Sequence, residues 1–189
     1  MASQQSTKEK VGIQFKETTL KGAFVIEPET FADERGFFAR SFSDREFAAH
    51  GINARLVECN ISYNVKKHTI RGMHFQSAPH AQAKLVRCTA GAILDVIIDL
   101  RPASPTFGQW FGVELTSRNR LMLFVPAGFA HGFQTLEHET EVFYEVSDYY
   151  EPASCGGVRW DDPAFQIEWR ERKNVVVNER DRTYPDFKF

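Results

Sequence analysis

The sequence predicts a mainly β protein, folded as a sandwich or small barrel of which the jelly roll is one form. Three observations predict it. Short strand-like stretches recur at near-even spacing, with turn residues between them. Only one or two brief helices find room in that pattern. The chain also holds 17 phenylalanines among 189 residues, and phenylalanine is both a strand former and a large core filler.

The elements follow in order. Residues 1–10 are polar and lack the apolar core of a signal peptide. They are expected to form a disordered tail, leaving 11–189 as one domain, a length that a single core can serve. Residues 11–27 read as strand, interrupted by Gly22. The run Asp33-Glu-Arg-Gly36 is a turn into another strand. Ser43 with Glu46 three residues later has the spacing of a capping box, so a short helix runs to about His50 and stops at Gly51. Strands are expected at 56–63, 69–76, 84–88, 92–100, 110–115, 121–125 and 141–146. Residues 126–131 read as a tight connection, and the tail 178–185 as polar but ordered by its aromatics.

Composition narrows the function. The formal net charge of −2 supplies no basic face, which argues against nucleic acid as a partner. No apolar run approaches the ~20 residues that span a bilayer, so no membrane role is expected. Cys59, Cys88 and Cys155 are an odd set without a Cys-x-x-Cys spacing. That argues against disulfides or a zinc knuckle and fits a reducing cytoplasm.

The candidate chemistry centres on Arg71-Gly-Met-His74. Read alone, His74 is either a core or rim histidine or a base. Arg71, three residues earlier, is expected on the opposite strand face or at the strand's start. Lys84 and Arg87 follow across a loop. Such cations are costly to bury without an anion, so an anionic ligand is indicated. Pro126-Ala-Gly-Phe-Ala-His131 matches the second histidine motif of the cupin barrels. With His74 and His80 it allows a three-histidine metal site, although Gln76 stands where metal-binding cupins carry a second histidine. His131 also reads as a turn histidine packed on Phe129 and Phe133. Tyr144 reads equally as an ordinary strand tyrosine, and Asp181 as part of a solvated charged face. Asp95 and Asp99 lie among apolar residues, so at least one is expected to face a polar interior.

Several stretches taken together resemble a known family. They are Asp33-Glu-Arg-Gly-Phe-Phe38, Asn60-Ile-Ser62, Ile70-Arg-Gly-Met-His-Phe-Gln76, Lys84-Leu-Val-Arg-Cys88, Asp95-Val-Ile-Ile-Asp-Leu-Arg101, Ser104-Pro-Thr-Phe-Gly108, Val125-Pro-Ala-Gly-Phe-Ala-His-Gly-Phe133, Tyr144 and Trp160-Asp-Asp-Pro163. In this order they resemble the nucleotide-sugar epimerases typified by dTDP-4-dehydrorhamnose 3,5-epimerase. The resemblance implies a cupin-type jelly-roll β-barrel, free of metal and cofactor, acting as a homodimer with exchanged N-terminal strands. The implied substrate is a 4-keto-6-deoxy sugar on a nucleoside diphosphate, inverted at C3, C5 or both through an enolate. The implied reaction is dTDP-4-dehydro-6-deoxyglucose to dTDP-4-dehydrorhamnose, in deoxysugar or cell-surface polysaccharide biosynthesis. A 3-only or 5-only epimerase of another nucleotide-linked keto sugar, or a metal-dependent cupin, is the alternative.

The same resemblance assigns roles. His74 is the base and Asp181 the carboxylate that orients it. Lys84 lies by the C4 oxygen, and Tyr144 is the acid on the other sugar face. Arg35 and Arg71 contact the diphosphate or sugar, with Arg35 serving the partner's pocket. Phe38, Glu58, Asn60, His131 and Tyr150 line the pocket. Arg40 and Glu58 depart from the family pattern and could pair with each other.

Overall fold

The strand Ala92–Asp99 is buried along its whole length, because both faces of its sheet are covered. Its β-branched residues suit an extended backbone, and alternation sorts its side chains. Ile93 and Ile97 enter a core with Val86, Leu123, Phe129, Phe133 and Val142. Leu94, Val96 and Ile98 face the other way, against Val158, Trp160, Phe165, Ile167 and Trp169 of the irregular segment near the end of the chain. Each aliphatic side chain so buried stabilises the fold by roughly 1.5–3 kcal/mol. Asp95 shares the parity of Ile93 and Ile97, so a carboxylate enters the interior.

The computed structural model describes residues 12–53 and 55–189. The expected tail at 1–10 lies outside the described residues. The strands are β1 (Ile13–Glu17), β2 (Phe24–Pro28), β3 (Thr30–Asp33), β4 (Gly36–Ala39), β5 (Glu58–Asn64), β6 (Ile70–Gln76), β7 (Lys84–Ala90), β8 (Ala92–Asp99), β9 (Trp110–Thr116), β10 (Met122–Val125), β11 (Phe129–Thr135), β12 (Thr140–Val146) and β13 (Cys155–Gly157). Two short helices join them, α1 (Asp44–Ala49) and α2 (Glu179–Arg182). One sheet has the order β1-β2-β10-β7-β12-β5 and the other β13-β6-β11-β8-β9; β3 and β4 form a separate hairpin. The two large sheets close on a shared core. This is the jelly roll that the strand pattern predicts, with a second core layer outside each sheet.

The predicted helix start holds. Ser43 Oγ accepts a hydrogen bond from Glu46 N at 3.4 Å, and the helix ends at the His50 cap before Gly51. The reciprocal half of the capping box is not made. Glu46 instead accepts from Ile13 N at 2.9 Å, which ties β1 to the helix. Phe47 then packs on the outer face of the six-stranded sheet with Ile26, Leu85, Met122 and Phe124.

One expectation needs correction. Residues 126–131 are not one tight connection. The turn closes at Gly128, and Phe129 begins β11, a central strand buried at every position. The small residues Ala130 and Gly132 allow neighbours on both sides, so His131 is a strand residue inside the barrel. The tail is ordered, as expected, and begins in a helix that the sequence reading did not place. Asn178 caps α2 by accepting from Asp181 N at 2.7 Å.

Candidate active site

β6 and β11 are neighbours, and His74 stands directly opposite His131 in their register. One residue of β11 lies between His131 and Phe133, while two of β6 lie between their partners His74 and Arg71. The extra residue in β6 is a bulge, and a bulge shifts side-chain parity by one. Arg71 and His74 therefore line the same lobe of a cleft; of the two placements expected for Arg71, the strand's start is found and the opposite face is not. Two glycines make this crossing possible. A Cβ on Gly72 would lie 2.5 Å from Gly132 Cα, and one on Gly132 would lie 2.7 Å from the Arg71 carbonyl oxygen. Only hydrogen fits between the strands there.

The short helix α2 brings a carboxylate to this bulge. Asp181 Oδ1 is 2.7 Å from His74 Nε2, and Oδ2 accepts from Gly72 N at 3.0 Å. Asp181 is fully buried. Burial alone would raise its carboxyl, but the hydrogen bond and charge of His74, with Gly72 N–H and Arg180, hold it below the usual value. An ionised carboxylate on one ring nitrogen leaves the other, Nδ1, available for proton exchange.

The opposing sheet supplies the other groups. Glu58, Asn60, Lys84 and Tyr144 line the cleft from β5, β7 and β12. Lys84 Nζ lies 3.5 Å from the His74 carbonyl oxygen. Its desolvated surroundings pull the ammonium down to about 8, against the attraction of Asp95. Tyr144 is pushed up by burial, with Glu58 adding to the rise and Arg71 opposing it. It therefore keeps its proton at neutral pH. The cleft has two lobes of about 220 and 330 Å³, and His74, Lys84 and Tyr144 line both. A base, a cation and a weak acid thus converge on one space from two sheets. That set can take a proton from carbon, stabilise the resulting oxyanion, and return a proton.

Residues 17–188 match the family model described as dTDP-4-dehydrorhamnose 3,5-epimerase. The chain is 42% identical over 171 residues to the dTDP-4-dehydrorhamnose 3,5-epimerase of Sinorhizobium fredii, covering 90% of this chain and 88% of that one. The chain belongs to the dTDP-4-dehydrorhamnose 3,5-epimerase family. It is accordingly an epimerase, an enzyme of the isomerase class. The epimerase fold recurs in the crystal structure of the Bacillus anthracis enzyme with TDP and PPi bound, at TM-score 0.90 and 41% identity over 93% of this chain and 100% of that one. The Legionella pneumophila enzyme, in complex with dTDP-4-keto-L-rhamnose, gives TM-score 0.84 and 37% identity over 90% of each chain.

The epimerase cleft gathers most of the expected residues. Glu58, Asn60 and Tyr150 line the first lobe and Arg71 and His131 the second. Arg71 is oriented by Nε donating to Asn64 Oδ1 at 2.7 Å. Gln76, at the end of β6, steadies the loop carrying Tyr150: its side chain donates to Tyr149 O and accepts from Glu151 N. Arg35 and Phe38 are not brought to the cleft of their own chain. Both are exposed on the β3–β4 hairpin, where Arg35 pairs with Asp33. Arg40 pairs with Glu46 at 2.9 Å, not with Glu58, because α1 lies between the hairpin and the sheet in sequence and supplies the nearer carboxylate.

The three-histidine set does not assemble. His74 is committed to Asp181 and His131 to Asp95 at 2.8 Å, while His80 pairs with Asp148 at 3.3 Å. Among the described residues no group of three His, Cys, Asp or Glu side chains is arranged to hold a metal ion, and no helix is long and apolar enough to cross a membrane. Sequence reasoning missed Arg180, Gln82 and Cys155 in the first lobe. It also missed α2, although the Asn178-x-x-Asp181 spacing is a usable cap signal.

Proposed function

We propose that this protein converts dTDP-4-dehydro-6-deoxyglucose to dTDP-4-dehydrorhamnose by inverting C3 and C5, with residues 11–189 acting as one jelly-roll domain. The C4 ketone acidifies the protons on both flanking carbons. His74 Nδ1 removes one, and Asp181 stabilises the imidazolium that forms. The Lys84 ammonium stabilises the enolate oxygen at C4. Tyr144 returns a proton from the opposite sheet, hence to the other sugar face. No external cofactor enters this scheme, because the substrate's own ketone activates both carbons. The observation that carries the reading is the buried His74–Asp181 pair, facing Lys84 and Tyr144 across one cleft.

The reading places Arg71 and Arg35 on the diphosphate, where a planar guanidinium can bind two oxygens at once. Arg35 and Phe38 then serve a second subunit. The β3–β4 hairpin stands outside both large sheets, and Ile61 and Tyr63 of the cleft strand β5, with Val65 just after it, are exposed. β1 pairs with β2, and β2 with β10, within this chain, and the reading takes the β3–β4 hairpin that follows them as the element offered to the partner. We also read the enzyme as cytosolic, where thiols such as Cys59, Cys88 and Cys155 stay reduced.

The test is solvent exchange. Purified protein incubated with dTDP-4-dehydro-6-deoxyglucose in deuterium oxide should incorporate deuterium at C3 and C5 and yield the rhamno configuration by NMR. Label at one carbon would make it a single-site epimerase, and no label would remove the substrate assignment. A mixed dimer tests the hairpin. Arg35→Ala and His74→Ala, each inactive alone, should restore one working site when subunits are exchanged; no restoration would return Arg35 to its own pocket.

A further inference from the structure

The segment that supplies Asp181 also carries an aromatic side chain with no place in the scheme above. Tyr184 lies three residues beyond Asp181 and lines neither lobe of the cleft. Its ring meets the His74 ring edge-on, with centroids 6.5 Å apart at 68°. The ring also packs against β13. A Cβ at Gly157 would come within 2.2 Å of Tyr184 Cζ and 2.3 Å of Cε2. Gly157 is itself the register partner of His74 across β13 and β6. Glycine at 157 thus leaves a slot beside the histidine, and the tyrosine ring fills it.

Both ends of the ring are secured. Arg180 Nε donates to Tyr184 Oη at 2.8 Å, within the same turn that holds Asp181. Downstream, Arg159 Nη1 pairs with Asp186 at 2.6 Å, and Phe187 N donates to the buried Asp162 at 2.7 Å. Phe187 then packs against Phe165. The chain around Tyr184 is therefore anchored on the barrel independently of the His74 hydrogen bond.

We propose that Tyr184, seated on Gly157, is a positioning residue that fixes the ring plane of His74, so that residues 180–184 act as one clamp on the base. Asp181 restrains the ring through Nε2 but leaves rotation about that hydrogen bond. An aromatic wall against the ring edge removes that freedom. The benefit is in rate: a base held within the productive angle spends more of its time aligned with the carbon acid. Substrate binding is little affected, because Tyr184 does not line the cleft.

This rests on His74 being the base, and the experiment keeps the two ideas apart. Tyr184→Ala, Tyr184→Phe, Gly157→Ala and the Gly157→Ala/Tyr184→Ala double variant would be assayed for C3 and C5 deuterium exchange beside His74→Ala. Tyr184→Ala should lower kcat about 10- to 100-fold with KM within about 2-fold. Tyr184→Phe should regain most of that loss, because the ring is retained. Gly157→Ala should reproduce Tyr184→Ala, and the double variant should be no worse than either single one, because both break the same contact. An unchanged kcat in Tyr184→Ala would overturn the clamp. So would a Phe variant as slow as the Ala variant, which would move the role to the hydroxyl. If Gly157→Ala fails to fold, the Tyr184 pair alone decides. Retained exchange in His74→Ala would instead sink the base assignment.

Discussion

Two histidine–aspartate pairs lie side by side in this barrel, and they are not equivalent. His74–Asp181 spans 2.7 Å and His131–Asp95 spans 2.8 Å, on adjacent strands in direct register. The His74 side chain is 37% exposed and the His131 side chain 8%. Both Asp181 oxygens have partners, whereas Asp95 Oδ2 is buried with none. Burial holds His131 below the usual histidine value, with Lys84 and His74 adding to the fall and Asp95 opposing it. An imidazole that borders the cleft but is almost wholly buried beside a carboxylate has little room to reach a substrate. A half-exposed imidazole on a fully satisfied carboxylate is available to a substrate. Pairing alone does not make a base; access and the carboxylate's remaining hydrogen bonds do.

That contrast can be broken experimentally. The largest expected effect is on the open pair. His74→Ala should lower exchange at both carbons by about 10³-fold or more, with thermal unfolding little changed. Loss of activity that tracked loss of fold would erase the distinction between the pairs.

Lys84 lies between the pairs and sharpens the comparison through pH. Its ammonium is the active form in the proposed scheme and is lost as pH rises through about 8. The rate should therefore fall on the alkaline side with an apparent pKa near 8. Lys84→Met should remove about 10²-fold of the rate together with that limb. An alkaline limb that survived the substitution would point to another group.

The smallest effect on rate is expected at the more buried pair, where the cost moves to stability. His131→Ala would leave the Asp95 carboxylate buried and unpaired, a loss of about 3 kcal/mol in unfolding free energy. Exchange should fall less than about 10-fold under conditions where the variant is folded. A thermally normal variant with abolished exchange would reverse the roles assigned to the two histidines.

Much of the frame is legible locally. Strand positions follow from period-two alternation, and the α1 start follows from the Ser43–Glu46 spacing, which depends on neighbouring backbone groups alone. The Asp95 parity in an apolar strand already signals a polar interior. The tight-connection reading of 126–131 fails because Gly128 and His131 look turn-like locally, while burial on both faces makes 129–135 a strand. The opposite-face reading of Arg71 and His74 fails because a bulge depends on the partner strand.

The chemistry-bearing partnerships lie beyond local reach. Asp181 meets His74 across 107 residues of chain, and Asp95 meets His131 across 36. Asp181 reads as solvated until α2 docks on the bulge and buries it. The family resemblance could pair Asp181 with His74, but the pairing of Asp95 with His131, and which pair opens to the cleft, are set where the sheets close. Periodicity fixes the face a side chain occupies; only the packed barrel fixes what stands opposite it.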